Sequence, residues 1–239
     1  MMNKRVVIIV QARMGSTRLP GKILKKVLGK PLLSYLIERL RQAKQAHDIV
    51  IATTLNPQDE AIVELSQNER VSFMRGSEED VLKRTLEAAD LFQADIIVRI
   101  TSDCPLIDPD LIDRAILAFS DCDYLRLEKF PRGLDVEVFS TQSLKEAHRE
   151  AKEAREREHV TLFIREHPEQ YRLKTLENDQ DASIHRWTVD TPEDFELVSK
   201  MIEALYPTSP NFHLNDMLRL LEKHPEWSKI NASIQQKHV

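Results

Sequence analysis

The stretch that decides the fold is VVIIVQARMGSTRLPGK, residues 6–22. It opens with a short apolar run that is typical of a buried strand, and then changes abruptly into a loop with two glycines, a proline and three cations. Strand patterns recur at 48–54 and 94–101, and helical patterns lie between them at 31–46 and 77–92. This alternation predicts an α/β fold: a three-layer sandwich with a mostly parallel central sheet.

The second half of the chain is less regular and very rich in charge. Residues 141–167 have the pattern of one long charged helix. We find no clean domain boundary, and therefore expect a single domain over residues 1–239. Residues 125–180 would form an extension for acceptor binding and dimerisation. The other elements predicted here are strands in YLRLEK, LDVEVFS, YRLKTLE and 183–191, and helices at 192–205 and 213–223.

Composition excludes several classes of protein. The net charge of −5 gives no support to a uniformly basic nucleic-acid binder. Cys104 and Cys122 have no CxxC spacing, so we expect no disulfide framework and a reducing compartment. No apolar run approaches the ~18 residues of a membrane span. We therefore expect a cytoplasmic protein with neither a nucleic-acid nor a membrane partner.

The loop after the first strand has the chemistry of a phosphate site. Ligands of parallel sheets lie beyond the carboxyl ends of the strands, where loop N–H groups can point at an anion. Arg13 and Arg18 are planar donors suited to phosphate oxygens, and Lys22 adds a point charge. Ser16 and Thr17 add hydroxyl groups. The loop therefore favours a polyphosphate ligand.

Two standard phosphate motifs do not fit this loop. Walker A requires four residues between its glycines and a Ser or Thr after the lysine, whereas five residues separate Gly15 from Gly21 and Ile23 follows Lys22. The GxGxxG dinucleotide fingerprint is absent as well. A solvated basic turn is the alternative, but the glycines, the donors and the strand-end position together favour anion binding.

Two aspartates follow predicted strands and could share a metal ion. Asp103 comes just after 94–101, and Asp190 precedes a Thr-Pro helix start. Either residue alone could simply serve a turn or a helix cap. Together they fit Mg²⁺, which commonly takes one or two carboxylates plus substrate phosphates. The pair Asp121 and Asp123 is a second candidate, although it lies between a helix and the start of a strand.

Several motifs carry a resemblance to a known family. The pattern Q-A-R-x-x-S-T-R-L-P-G-K resembles the signature loop of the sugar cytidylyltransferases, the acylneuraminate and deoxy-octulosonate CMP-transferase superfamily. TSDCPLIDP and RWTVDTPEDFELV are similar to two further motifs of that superfamily. RGSEEDVLKR, PRGLDVEVFS and REREHVT look closest to its spore coat polysaccharide biosynthesis branch. The resemblance extends over residues 6–198.

This resemblance implies a nucleotide-diphospho-sugar transferase fold of the GT-A-like type. It implies transfer of CMP from CTP to a sugar, a 2-keto acid sugar being favoured, with release of pyrophosphate for surface or spore coat polysaccharide synthesis. It also implies Mg²⁺ on Asp103 and Asp190, and a homodimer. Arg13, Lys22 and Asp103 would be catalytic. The implied nucleotide-binding residues are Gln11, Ala12, Arg13, Gly15, Ser16, Arg18, Lys22, Thr53, Arg75, Ser77, Asp80 and Asp103.

The base-binding region departs from the family pattern. Where a Ser-Gly-Thr-Asp type of loop is expected, this chain has Arg75-Gly76-Ser77-Glu78. Ser77 could equally be a plain helix cap. The residues that would contact base and ribose therefore differ from those of the family pattern.

We expect the acceptor site in the irregular second half. On a strand, Asp135 and Glu137 share a face and could accept sugar hydroxyls, while Arg132 could hold a carboxylate or phosphate. Glu158 and His159 are further candidates, although a solvated charged helix is the simpler interpretation of their segment. Two other functions stay open at this point: a metal-dependent glycosyltransferase that uses a sugar nucleotide, and a non-catalytic scaffold of the same fold.

Overall fold

The computed structural model describes residues 4–235 and forms an α/β sandwich. The strands are β1 Val6–Gln11, β2 Lys26–Val27, β3 Lys30–Pro31, β4 Asp48–Thr54, β5 Ser72–Gly76, β6 Ile96–Thr101, β7 Tyr124–Glu128, β8 Glu137–Ser140 and β9 Leu173–Glu177. The helices are α1 Leu32–Leu40, α2 Glu60–Asn68, α3 Val81–Leu91, α4 Pro109–Ala118, α5 Thr141–Glu150, α6 Ala154–Glu158, α7 Leu162–Glu166, α8 Pro192–Leu205 and α9 Leu214–Lys223. Short 3₁₀ helices cover Lys22–Leu24, Pro57–Asp59 and Pro225–Lys229.

The central sheet has seven strands in the order β5-β4-β1-β6-β8-β7-β9. Only β8 runs against the others, since it pairs antiparallel with both β6 and β7 while the remaining pairs are parallel. β2 and β3 form a separate two-stranded ribbon. The mostly parallel sheet predicted from the sequence is confirmed, and the carboxyl ends of β1, β4, β5 and β6 meet along one edge.

The sheet is covered on both faces, as the apolar strands require. On one face, α1, α2 and α4 pack against side chains such as Ile8 and Val98. On the other face, α3, α5 and α7 pack against the alternate residues, such as Val7 and Ile97. A third cluster joins α8 and α9 to the first helix and includes the fully buried Trp187. These layers confirm the three-layer prediction.

Some predicted elements are wrong in extent. The long helix at 141–167 is three short helices, because the chain is extended at Ala151 and has a positive φ of 40° at Val160. The helix predicted at 77–92 begins only at Val81, with Asp80 as its cap. No strand forms over 183–191, where the described chain makes only an isolated bridge between Arg132 and Arg186.

The helices of residues 4–235 are all too short or too polar to span a bilayer.

Candidate active site

Lys22 and the two predicted aspartates converge at the carboxyl edge of the sheet. Gly21 takes a left-handed conformation with φ of 65°, which turns the loop into the short helix that begins at Lys22. The Lys22 Nζ then donates to Asp103 Oδ2 at 2.9 Å and to Asp190 Oδ1 at 2.8 Å. Asp103 and Asp190 thus form one cluster with Lys22, although they lie 81 and 168 positions after it in the sequence.

Asp103 is fixed by its neighbours on both sides. Thr101, at the end of β6, donates its hydroxyl to Asp103 Oδ1 at 2.6 Å. The peptide N–H of Val189 donates to the Asp103 carbonyl at 2.8 Å. This backbone bond ties the segment before Asp190 to the turn after β6. The two carboxylates are therefore positioned by the main chain as well as by Lys22.

Asp190 has two further cations around it. Arg18 approaches Asp190 Oδ2 at 3.1 Å, and Arg186 donates to the same oxygen at 2.9 Å. Arg186 also binds Asp194 Oδ1 at 2.9 Å, and Asp194 is completely buried. Asn231 completes this support with a 2.8 Å bond to Asp194. The sequence analysis missed Asp194 and Asn231, because a polar residue that will be buried looks ordinary in a sequence.

The charges in this cluster stabilise one another. Burial would lower the pKa of Lys22, but the attraction of Asp103 and Asp190 outweighs it and raises that pKa. Burial would raise the pKa of Asp103, yet the charge of Lys22 and the Thr101 hydrogen bond lower it. The site therefore holds a lysine ammonium and an ionised aspartate at neutral pH.

The loop after β1 rests on the turns that follow β4 and β5. Met14 N donates to Asp59 Oδ1 at 2.7 Å, and Arg13 Nη1 lies 3.5 Å from Glu78 Oε1. A Cβ atom on Gly15 would lie 3.3 Å from Gln58 Nε2 and 3.4 Å from Glu78 Oε1, so a larger residue would press on both turns. The loop is thereby held open, with Arg13 still partly exposed.

The remaining loop residues have structural contacts as well. Ser16 Oγ accepts from Leu19 N at 3.3 Å, and Ala12 is buried beneath the loop. Gln11 accepts a 2.9 Å hydrogen bond from Arg99. Within the described part of the chain, the peptide N–H groups of Gly15 and Thr17 have no hydrogen-bond partner. These two groups are available to an anion.

The predicted base-binding residues are mostly occupied by the protein itself. Thr53 is fully buried. Arg75 uses all three of its guanidinium nitrogens on neighbouring groups. Ser77 Oγ accepts from Asp80 N at 3.0 Å, and the Asp80 carboxylate caps α3 and pairs with Arg157. The structure thus brings these residues beside the loop and engages the side chains of Arg75, Ser77 and Asp80 elsewhere, whereas the buried Thr53 hydroxyl has no partner among the described residues.

A cavity of about 380 Å³ lies next to the cluster. Thr101 lines it and also binds Asp103, so the cavity adjoins the carboxylates. The predicted acceptor residues that line the cavity are Arg132, Asp135, Glu137 and His159. Glu158 is exposed and does not line this cavity. Cavity residues that the sequence did not reveal are Arg99, Tyr124, Arg126, Glu128, Thr161 and Arg165.

Glu137, predicted as a sugar contact, already accepts hydrogen bonds from three protein groups. Tyr124 and Thr161 both donate to Glu137 Oε1 at 2.6 Å, and Arg99 pairs with Oε2. Burial would raise the pKa of Glu137, but the Arg99 charge and these hydrogen bonds lower it. Glu137 instead forms an ion pair with Arg99, and Arg99 in turn donates a hydrogen bond to Gln11 beside the loop. The cavity wall and the loop are therefore one connected hydrogen-bond network.

Two other acidic groups have structural roles in the described residues. Asp123 pairs with Arg172 at 2.9 Å, and it precedes β7, whose start lies at the opposite edge of the sheet from the end of β6. Asp108 caps α4 and also accepts from Leu214 N and His213. Both groups are satisfied by the protein, and neither adjoins the cavity.

The fold and the cluster define a class of protein. A mostly parallel sandwich with a cationic loop, two carboxylates and a polar cavity at the strand ends is the arrangement of an enzyme that acts on phosphorylated ligands. A family model described as cytidylyltransferase matches residues 7–226. The chain belongs to the cytidylyltransferase family and is a nucleotidyltransferase.

Individual proteins show the same likeness. The spore coat polysaccharide biosynthesis protein SpsF of Bacillus subtilis is 36% identical over 233 residues, which cover 92% of this chain and 95% of that protein. A cytidylyltransferase structure from Leptospira borgpetersenii superposes with a TM-score of 0.90 at 33% identity, covering 98% of this chain and all of that one. The CTP complex of CMP:2-keto-3-deoxy-manno-octonic acid synthetase shares the fold, with a TM-score of 0.68 at 18% identity and coverage of 84% of this chain and 99% of that one.

These findings confirm the family resemblance, the fold class and the nucleotidyltransferase prediction. They favour that prediction over the glycosyltransferase and scaffold alternatives. The roles of individual residues, the metal and the dimer stay predictions.

Proposed function

We propose that this enzyme transfers CMP from CTP to a hydroxyl group of an acidic sugar and releases pyrophosphate. The observation that carries this proposal is the contact between two halves of one site. Arg18, Lys22, Asp103 and Asp190 form a charged cluster, and Thr101 joins that cluster to an arginine-lined cavity. Phosphates at the cluster would lie beside a sugar in the cavity.

The reaction is a displacement at phosphorus. The acceptor oxygen forms a bond to the α-phosphorus, the bond from that phosphorus to the bridging oxygen breaks, and pyrophosphate leaves with the electron pair. The proton of the acceptor hydroxyl passes to solvent water. Such transfers depend chiefly on positioning and on charge stabilisation. Arg13, Arg18 and Lys22 would bind the β- and γ-phosphates and neutralise the charge of the leaving group.

The residues present fit a magnesium ion. Asp103 and Asp190 both bind the same Nζ atom, so their oxygens already surround one cation, and carboxylate oxygens are ligands that Mg²⁺ prefers. We propose that these two residues hold it. Bound there, Mg²⁺ would act as a Lewis acid on the phosphate oxygens.

The cavity favours an anionic acceptor. Arg99 and Arg126 are neutralised by Glu137 and Glu128. Asp135 also lines the cavity, and the charge of Arg132 opposes the burial that raises the pKa of Asp135, so four arginines face three carboxylates here. Arg132 and Arg165 themselves form no ion pair among the described residues. A carboxylate of a 2-keto acid sugar would satisfy them, since guanidinium groups bind carboxylates in a planar fork. The similarity to the spore coat protein supports a role in surface or spore coat polysaccharide synthesis.

We also propose that the enzyme is a homodimer that uses residues 125–180. β9 lies at the edge of the sheet, and its side chains are almost all exposed. An edge strand with unpaired backbone groups is a ready surface for a second chain. Light scattering on the purified protein measures this directly, and a monomeric mass at micromolar concentration would contradict it.

The central experiment measures pyrophosphate release. The enzyme is incubated with CTP, Mg²⁺ and either 2-keto acid sugars or sugar phosphates. We expect pyrophosphate release only with CTP and a 2-keto acid sugar. Mass spectrometry should then detect the CMP-sugar product. Asp103→Asn should abolish release, whereas Asp123→Asn, at the Arg172 pair, should not. Release with sugar phosphates alone would overturn the proposed acceptor class, and release with UTP in preference to CTP would overturn the proposed donor.

A further inference from the structure

Arg84 is a buried arginine that the proposed mechanism does not use. It lies in α3 and its side chain is completely buried. Its Nη1 donates to the carbonyl oxygen of Ser77. Its Nε and Nη2 have no hydrogen-bond partner among the described residues. Since buried polar groups are normally paired, two open donors on one side chain indicate a missing acceptor.

The two open donors form a complete binding edge. In a guanidinium group, the N–H of Nε and one N–H of Nη2 lie in the plane of the group and point outward along the same edge. This pair is the fork that binds two neighbouring acceptor atoms at once. Nη1, which is on the other side, is the nitrogen bound to Ser77. Arg84 is therefore anchored by one edge and open along the other.

The fork lies at the β5 end of the site. A Cβ atom on Gly76 would approach Arg84 Cγ at 2.9 Å, so the arginine stem packs directly against the end of that strand. Burial, chiefly, together with the charge of Arg13, lowers the pKa of Arg84 to about 10, while Asp59 and Glu78 oppose that shift. Arg84 thus lies close to the loops that follow β1, β4 and β5.

The position suits a nucleotide base better than a phosphate. β5 and β6 are separated by β4 and β1, so their ends are about 14 Å apart at ~4.8 Å per strand. Lys22 and Asp103 of the proposed phosphate site lie at the β6 end, whereas Arg13 of the same site extends toward the β5 end, where it lies near Glu78. A nucleotide whose phosphates bind there can extend along the strand ends toward β5. Its base would then approach Arg84.

Arg75, the arginine expected near the base, cannot serve this purpose in the observed arrangement. Its Nε donates to the Thr54 carbonyl at 2.9 Å and its Nη2 to the Asn56 carbonyl at 3.1 Å. Its Nη1 pairs with Glu60 at 2.7 Å. Arg75 therefore shapes the loop after β4, and the open donors belong to Arg84.

We propose that Arg84 selects the cytosine base by donating Nε–H and Nη2–H to the ring atoms O2 and N3. This inference rests on the proposed use of CTP. Cytosine presents two adjacent acceptors there, whereas uracil has an N–H at position 3 that would face the Nε and Nη2 donors. Because both nitrogens are shielded from water, the base must displace a covering side chain as it enters.

The test is equilibrium binding by calorimetry with Mg²⁺ present. Wild-type protein is titrated with CTP, UTP, pyrophosphate and 3-deaza-CTP, in which a C–H group replaces N3. We expect CTP to bind roughly 10- to 100-fold more tightly than UTP or 3-deaza-CTP, as loss of a bidentate pair predicts. In Arg84→Met the three nucleotides should bind alike, with pyrophosphate unchanged. Lys83→Met, in the exposed Lys83–Glu87 pair of the same helix, is the matched control.

The outcomes separate the possible failures. If Arg84→Met weakens pyrophosphate as much as CTP, the fork binds phosphate and the inference is wrong. If a folded Arg84→Met still binds CTP more tightly than UTP and 3-deaza-CTP, another residue recognises the base and the inference is wrong. The analogue titration needs no variant, so the inference can be refuted even if Arg84→Met unfolds: equal wild-type binding of CTP and 3-deaza-CTP refutes it. If the wild-type protein binds no CTP, the proposed function itself fails.

Discussion

Replacing Lys22 by methionine tests the centre of the site. The change keeps the length of the side chain but removes the ammonium group that lies between Asp103 and Asp190 at 2.9 and 2.8 Å. The proposed phosphate contact is lost with it. Removal of one preorganised donor from a transition state typically costs about 10²–10³ in rate, and we expect a decrease of that size in kcat/KM.

The same variant should also lose stability. The lost charge-assisted hydrogen bonds contribute ~1.5–3 kcal/mol each, but burying the lysine charge costs part of that. Asp190 keeps Arg18 and Arg186, whereas Asp103 loses the one cation that pairs with it among residues 4–235. We therefore expect a net loss of about 1–3 kcal/mol. Urea denaturation at pH 7, beside the rate assay, measures both effects.

The direction in which stability changes with pH can also be checked. The pKa of Asp103 is lowered in the folded protein, so its ion pair adds stability above the unfolded value of about 3.9 and loses it as pH falls through the folded pKa. The stability gap between wild type and Lys22→Met should be largest near neutral pH and shrink below about pH 4. Lys26→Met, on the exposed neighbouring lysine, should match wild type. A folded Lys22→Met with kcat/KM within about threefold of wild type would refute the role of Lys22.

Three further changes test other parts of the structure. Asp194→Asn should cost about 1.5–3 kcal/mol of unfolding free energy, because Arg186 loses its charged partner Asp194 but keeps Asp190; a change below about 1 kcal/mol in denaturation would contradict the network. Gly133→Ala should lower the melting temperature markedly, since φ is +102° and the new Cβ would lie 2.5 Å from Trp187 C; an unchanged melting curve would show that this contact relaxes freely. Glu137→Gln should raise the acceptor KM through the loss of the Arg99 pair, and its stability deficit should close as pH falls below about 4.3, because the pKa of Glu137 is lowered in the fold. Thr175→Ser on β9 is its control, and equal KM values for Glu137→Gln and this control would contradict the role of Glu137.

Local sequence signals explain which elements were predictable. The helix at 192–205 has the bounds predicted for it, because Thr191 and Asp194 form a capping box around Pro192. The long helix at 141–167 was wrong because its breaks do not come from local propensity. Ala151 and Val160 are both buried, and their conformations are imposed by packing against the sheet.

Some residues of the candidate site could likewise be predicted from the sequence, and others could not. Lys22, Asp103 and Asp190 could be brought together from the sequence because parallel strands place their following loops on one edge. Arg84 and Arg99 could not, since each lies in an element whose pattern gives no sign of the cavity or loop that its guanidinium faces. The predicted sugar contact at Glu137 shows a related limit: a sequence does not show that a carboxylate already has Arg99, Tyr124 and Thr161 as partners.

The charge balance of the cluster links its two proposed ligands. Three cations, Arg18, Lys22 and Arg186, face the two carboxylates of Asp103 and Asp190, and Arg186 is shared with Asp194. The cluster is therefore close to neutral as it stands. A triphosphate would draw Lys22 and Arg18 away from the carboxylates and leave negative charge on both sides, which is unfavourable at a partly buried site. A divalent cation on the two aspartates would remove that repulsion, so nucleotide and metal should each strengthen the binding of the other.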